Sequence, residues 1–178
     1  MIRARQTTGI VSGVAVAIAM FASWCEAVAG ERPAQTVAGW LELAKLVPGE
    51  IVMQAKLDTG ADTSSLHTTA IEHFERDGKP WVTLDVIGRD GRSVRIERPV
   101  VRNARVRSAL GAGQVRPTVL LGICVGTVYG ITEVTLADRS RLSVPLLVGR
   151  RFLESHLLLV DSTKRELNEP NCQEMPAP

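Results

Sequence analysis

Residues 55–68 read AKLDTGADTSSLHT, and the junction at Leu57-Asp58-Thr59-Gly60 decides how the rest is read. Ala55 and Leu57 are the inward positions of a strand, yet the strand ends on a carboxylate followed by a glycine. Taking an ionised carboxylate out of water is costly unless it is paired, hydrogen-bonded or protonated. Asp58 is therefore either the cap of a tight Asx turn at a strand end or a group placed there for acid–base work. Asp62-Thr63-Ser64 extends the loop with small polar side chains, which suits both readings.

Outward from this loop the chain punctuates itself as strands and turns. VAGWLELAKLV and EIVMQAKLD flank Pro48-Gly49, and WVTLDVIG and RSVRIERPVV flank Arg89-Asp90-Gly91. VRPTVLLGICVG and YGITEVTLAD are joined at residues 126–130. These are hairpin signals. SSLHTTAIEHFERDG fits either a helical turn or an irregular strand. LSVPLLVG is a further apolar strand, and RRFLESHLLLV predicts one short helix before a last strand into Asp161. Many short strands with Gly, Pro and Asp turns predict an all-β barrel or sandwich.

The composition is that of a globular chain: of 178 residues, 45% are hydrophobic and 22% charged. Only seven are aromatic (three Trp, three Phe, one Tyr), so the core has to be assembled from Val, Leu, Ile and Ala. A net charge of +2 gives no argument for nucleic acid or an anionic surface. The arginines between Arg89 and Arg116 alternate with apolar residues and read as solvated strand faces and a loop.

Residues 1–29 stand apart from that pattern. A start with Arg3, Arg5 and no acid leads into the apolar run 9–24, and Ala27-Val28-Ala29 offers small residues for cleavage. This reads as a secretory signal cut after Ala29, which makes the protein periplasmic or secreted. Left uncut, the segment would be a membrane anchor, although the run is short of the ~20 residues a spanning helix needs. Trp24 before Cys25 argues against lipidation. Residues 30–36 form a polar linker, 37–167 the domain, and 168–178 a tail whose composition reads as disordered. After cleavage Cys124 and Cys172 remain, either as a disulfide suited to an oxidising compartment or with Cys124 a small buried hydrophobe.

The loop DTGADTSSLH, followed late in the chain by LLVGRRFL, resembles the retropepsin-like aspartic proteases. More narrowly, together with RP and LADRS, it is similar to a bacterial group that carries an "ATP-dependent zinc protease" label. The resemblance covers about residues 37–162 and implies a retropepsin-like closed barrel with one short C-terminal helix. It implies an aspartic endopeptidase acting on peptide or protein substrates, with catalytic Asp58, Thr59 and Gly60. It also implies that Ala61, Asp62 and Arg150 meet substrate main chain, with Asp62 paired to Arg150. Aspartic proteases need two carboxylates that share one proton, and this chain has one Asp-Thr-Gly. The second would come from another copy, making the active form a homodimer with its site on the two-fold axis. The alternative is a non-catalytic binding or accessory module of the cell envelope with the same fold. The resemblance requires no cofactor or metal: the sequence has no HExxH and no Gly-rich Lys-Ser/Thr loop, and His67, His73 and His156 are scattered. Residues 106–117, VRSALGAGQVRP, are Gly-rich and lie where a flap would fall; a plain hairpin turn is the other reading.

Overall fold

The computed structural model describes residues 34–106, 114–173 and 175–178. The expected signal segment and the tip of the 106–117 stretch lie outside them. Strand β1 (Thr36–Val47) organises the whole. Its second half pairs antiparallel with β2 (Ile51–Asp58), from Leu41↔Lys56 to Leu46↔Ile51, across the turn at Pro48-Gly49. Gly49 takes a φ of 105°, open to glycine and strained for other residues.

Two crossings then build the barrel. β3 (Ser64–His67) leaves the β2 loop, while β4 (Ile71–Arg76), β5 (Lys79–Ile87) and β6 (Ser93–Pro99) form a separate three-stranded antiparallel sheet. β7 (Arg102–Val106), β8 (Gln114–Val125) and β9 (Val128–Ala137) make an antiparallel meander. β10 (Leu146–Gly149) inserts between β2, parallel, and β3, antiparallel, and β3 runs parallel to β9. β1 also pairs with β8, so the ring β1-β2-β10-β3-β9-β8 closes on itself and leaves no edge among those six strands. A short helix, α1 (Arg150–Ser155), the one helix among the described residues, follows, and β11 (Leu158–Arg165) lies parallel beside the first half of β1. The fold is the all-β closed barrel that the sequence leads one to expect.

The core is aliphatic, as the scarcity of aromatics dictates. Leu46, Ile51, Leu66, Leu121, Ile123, Leu136 and Leu146 are buried, and Phe152 of α1 is the aromatic side chain that joins them. The 64–78 stretch contains no helical turn. It divides into β3 and β4, which belong to different sheets, because Leu66 pairs into the barrel while Ile71 faces Leu84.

The described residues of the tail carry no strand or helix, yet partners on the barrel and on β6 bind them. Glu42, fully buried on β1, accepts the N–H groups of Gly39, Leu167 and Asn168, which compensates for burying its carboxylate. Asn171 N–H donates to Gly126 O at 2.7 Å, and Cys172 is disulfide-bonded to Cys124. Tyr129 donates to Pro176 O, and Arg98 donates to Pro178 O at 3.0 Å. Polar composition suggests disorder here; these long-range partners give residues 166–173 and 175–178 a defined path. Both readings of Cys124 hold in part, since it is wholly buried and disulfide-bonded.

Candidate active site

Asp58 sits at the last position of β2, where inward Met53, Ala55 and Leu57 alternate with outward-facing Gln54, Lys56 and Asp58. Beyond it the chain turns at Thr59-Gly60, both exposed. Asp58 Oδ1 accepts the N–H groups of Gly60 at 3.0 Å and Ala61 at 3.2 Å, which is what an Asx turn does. The two readings of Asp58 are therefore compatible: the turn hydrogen bonds orient the carboxylate. Its other oxygen, Oδ2, lies 3.3 Å from the ammonium of Lys56. Burial pushes the Asp58 carboxyl up, but the Gly60 N–H, the Lys56 ammonium and the Ala61 N–H outweigh it and hold it below the ordinary value. A depressed pKa of this kind contributes stability above the ordinary carboxylate range. That contribution is lost as pH falls through the folded-state value.

The loop is held from below by the β10–α1 junction. Gly149 pairs with Asp58 in register and donates its N–H to Ser64 Oγ at 3.1 Å. Arg150 N–H donates to Ala61 O at 2.7 Å and Arg151 N–H to Asp62 O at 3.2 Å. The Gly-Arg pair thus has a physical reason at each position. A Cβ on Gly149 would stand 2.5 Å from the carbonyl carbon of Thr63 and 2.9 Å from Ser64 N, inside backbone that cannot yield without moving the loop. Gly149→Ala is expected to destabilise by about 1–3 kcal/mol, the usual range for overpacking. Chemical denaturation would measure it, and an unchanged midpoint would refute it.

The guanidinium of Arg150 lies 3.0 Å from Asp62 Oδ1, so the expected pair forms. Its surroundings differ from what the motif suggests. Both side chains are about half exposed (44% and 51%), Arg151 also reaches Asp62 at 2.9 Å, and Glu154 approaches Arg150 at 3.4 Å. In a single chain such a pair is worth no more than about 1 kcal/mol, well below a buried one. Asp58, Thr59, Gly60, Ala61, Asp62 and Arg150 are thus gathered on one loop and the helix beneath it.

Three groups that the sequence did not bring forward join them. Lys56 is the first, and its signal was present: it lies two residues before Asp58 on a strand, so the two share a face. Arg139 is the second. It is half-buried on the loop after β9, with its Nε buried and lacking a hydrogen-bond partner among the described residues. Burial and the nearby charge of Arg116 push its guanidinium down, and the charge of Asp58 opposes them. Its backbone N–H donates to His67 Nδ1 at 2.9 Å. The third is a cleft of about 460 Å³ beside the loop, where Arg102, Arg105, Arg116 and Arg151 surround Asp62 and Ser65. Arg102 is paired with Glu133 at 2.6 Å. Three of these arginines come from the run that alternation assigned to solvated faces. Folding the β7–β8 pair toward the loop turns that face into one wall of a cleft.

The histidines are dispersed. His67 lies on β3, His73 on β4, and His156 stacks on Phe152 at the end of α1. Among the described residues no group of three or more His, Cys, Asp or Glu side chains is placed to hold a metal. No described helix is long and apolar enough to cross a membrane. The described flanks of the 106–117 stretch are the antiparallel pair β7–β8, from Arg102↔Thr118 to Val106↔Gln114.

Residues 37–171 match the family model described as "RimB-like: Retropepsin-like aspartic endopeptidase RimB". The chain is 29% identical over 133 residues to a "Probable alpha-L-glutamate ligase" of Desulfotalea psychrophila, covering 73% of this chain and 28% of that protein. It is 31% identical over 119 residues to a protein of the same name from Shewanella pealeana, covering 65% and 26%. This chain therefore spans little more than a quarter of either relative. The crystal structure of protein Lpg0085 from Legionella pneumophila, described as of unknown function, superposes with a TM-score of 0.67 at 29% identity. That match covers 76% of this chain and 100% of the other.

Proposed function

This chain belongs to the RimB-like family of retropepsin-like aspartic endopeptidases, and we propose that it is an exported endopeptidase, cleaved after Ala29 and active as a homodimer. The observation that carries the reading is the Asp58 loop. Its carboxylate is oriented by two backbone N–H groups, the Gly149-Arg150 junction packs beneath it, and Thr59 and Gly60 at its tip are exposed and free to meet a second copy. With Asp58 contributed twice across a two-fold axis, one carboxylate is ionised and the other protonated. The ionised one takes a proton from water as its oxygen bonds to the peptide carbonyl carbon, while the protonated one gives its proton to the carbonyl oxygen. Collapse of the resulting gem-diol breaks the C–N bond, and the amine leaves with a proton returned from the dyad. Ala61, Asp62 and Arg150, flanking the loop, would meet substrate main chain, and Thr59 would link the two loops.

The substrates that suit the adjoining cleft are acidic peptides. Arg105 lines it beside Arg116, whose fork is held by Gln114 Oε1 at 2.9–3.0 Å, and such guanidinium groups suit carboxylates; the ligases named among the relatives handle glutamate. The Lys56–Asp58 contact favours a second reading, a non-catalytic module of the cell envelope, because it satisfies the carboxylate within one chain. Profiling the purified protein against a peptide library from acidic to neutral pH separates the two. Cleavage concentrated at Glu- or Asp-containing peptides, blocked by pepstatin, indifferent to chelators and absent in Asp58→Asn, is the expected result. No cleavage anywhere in that range would favour the second reading.

A further inference from the structure

Lys56 has no part in the chemistry just described, yet among the described residues its ammonium is the one cation within salt-bridge distance of the catalytic carboxylate. The contact follows from strand geometry. Lys56 and Asp58 are two residues apart on β2, so both side chains rise from the same face, and a four-carbon stem spans the gap to 3.3 Å. The cross-strand neighbours of Lys56 are Leu41 on β1 and Leu147 on β10, neither of which can accept a hydrogen bond through its side chain. Among the described residues Asp58 is the one carboxylate within salt-bridge distance of Lys56.

We propose that Lys56 is a positioning residue that sets the protonation state of Asp58, so that each half of the dyad carries its own resident ammonium. This rests on Asp58 being the catalytic carboxylate. Among the described residues the hydrogen bonds of the loop act with Lys56, while burial of Asp58 acts against it. From the loop come the N–H groups of Gly60 and Ala61, while the guanidinium of Arg139, on the segment after β9, feels the charges of both Asp58 and Arg116. From α1, the Arg150 side chain is turned to Thr59 O and Asp62 rather than to Asp58. Next along the face of β2, Gln54 is engaged by Glu166 at 2.9 Å and leaves Lys56 to Asp58.

The consequence concerns which pH gives a dyad with one proton. Two carboxylates side by side resist losing the second proton, because like charges repel. An ammonium beside each of them offsets that repulsion and favours the fully ionised, inactive dyad. The one-proton window therefore lies at lower pH than it would without Lys56, and activity ends early on the alkaline side.

Two measurements on the full chain decide this. In protein labelled with ¹³C at the Asp side-chain carboxyl, Asp58 is assigned by its loss in Asp58→Asn and its titration midpoint is read by NMR. Lys56→Met, which keeps the length of the stem, is expected to raise the midpoint, and Lys56→Arg to leave it low. The pH–rate profile on a cleaved library peptide is expected to extend toward alkaline pH in Lys56→Met. A midpoint that stays put in Lys56→Met overturns the proposal whatever the enzyme does. A midpoint that moves while the alkaline limb of kcat does not would overturn the link to catalysis, and a change confined to KM would make Lys56 a substrate contact instead. Retained cleavage by Asp58→Asn would remove the underlying assignment of Asp58, while the NMR midpoint would still report on the ion pair.

Discussion

Mixing equal amounts of the parent protein and Asp58→Asn, with free exchange of subunits, is expected to leave about a quarter of the activity of the same total protein as parent. The structure makes the variant a clean one. Asn keeps the side-chain oxygen that accepts the Gly60 and Ala61 N–H groups, so the loop retains its turn while losing the carboxylate. Homodimers of the variant should be inactive. Mixed dimers keep one Asp58 but lack its acid–base partner, so they should be nearly dead too. Random pairing in a two-fold assembly makes about one dimer in four parent–parent. Independent sites in single chains would leave about half. A value near one half would therefore end the shared-site mechanism.

The second large effect lies far from the loop. Cys172→Ser should cost about 2–4 kcal/mol of stability. The Cys124–Cys172 bridge spans a sequence separation of 48 residues, and closing a loop of that size restricts the unfolded chain by roughly 4 kcal/mol in the chain-entropy model. Cys172 is the better residue to replace, since Cys124 is wholly buried and a hydroxyl there would add its own penalty. Urea denaturation with and without reductant gives the measurement. The parent should lose stability when reduced, and the variant should be indifferent. Equal midpoints for parent and variant under oxidising conditions would show that the bridge does not stabilise the fold.

What the sequence made legible is what is local. The hairpins β1–β2, β5–β6 and β8–β9 are each announced by a turn, at Pro48-Gly49, Arg89-Asp90-Gly91 and Gly126, because turn chemistry acts within four residues. The Asp58 loop and the Gly149-Arg150 junction are legible through their resemblance to a family, and the structure brings them together. The parallel pairings of β3 with β9 and of β10 with β2 are not legible. Four-residue strands such as SSLH and LLVG carry too little alternation to say which neighbour they will take. The order of the tail was hidden for a related reason. A polar stretch without periodicity looks disordered until Glu42 and Cys124, more than 40 residues away or further, are known to hold it. The half-exposed state of Asp62 and Arg150 was equally out of reach, since a motif names partners but not the solvent around them.

The register Gly149↔Asp58 has a kinetic consequence. The groups that support the Asp58 loop, Gly149, Arg150 and Arg151, follow it by about ninety residues of chain. Pairings between segments so distant in sequence form slowly, because the loop-closure entropy must be met before the contact stabilises anything. β2 can pair with β1 early, but its carboxylate has no floor beneath it until β10 has slid in beside it. A partly synthesised or unfolded chain therefore carries the Asp-Thr-Gly letters without the geometry that gives them meaning. The same topology that makes this barrel slow to close also delays the moment at which it could cut anything.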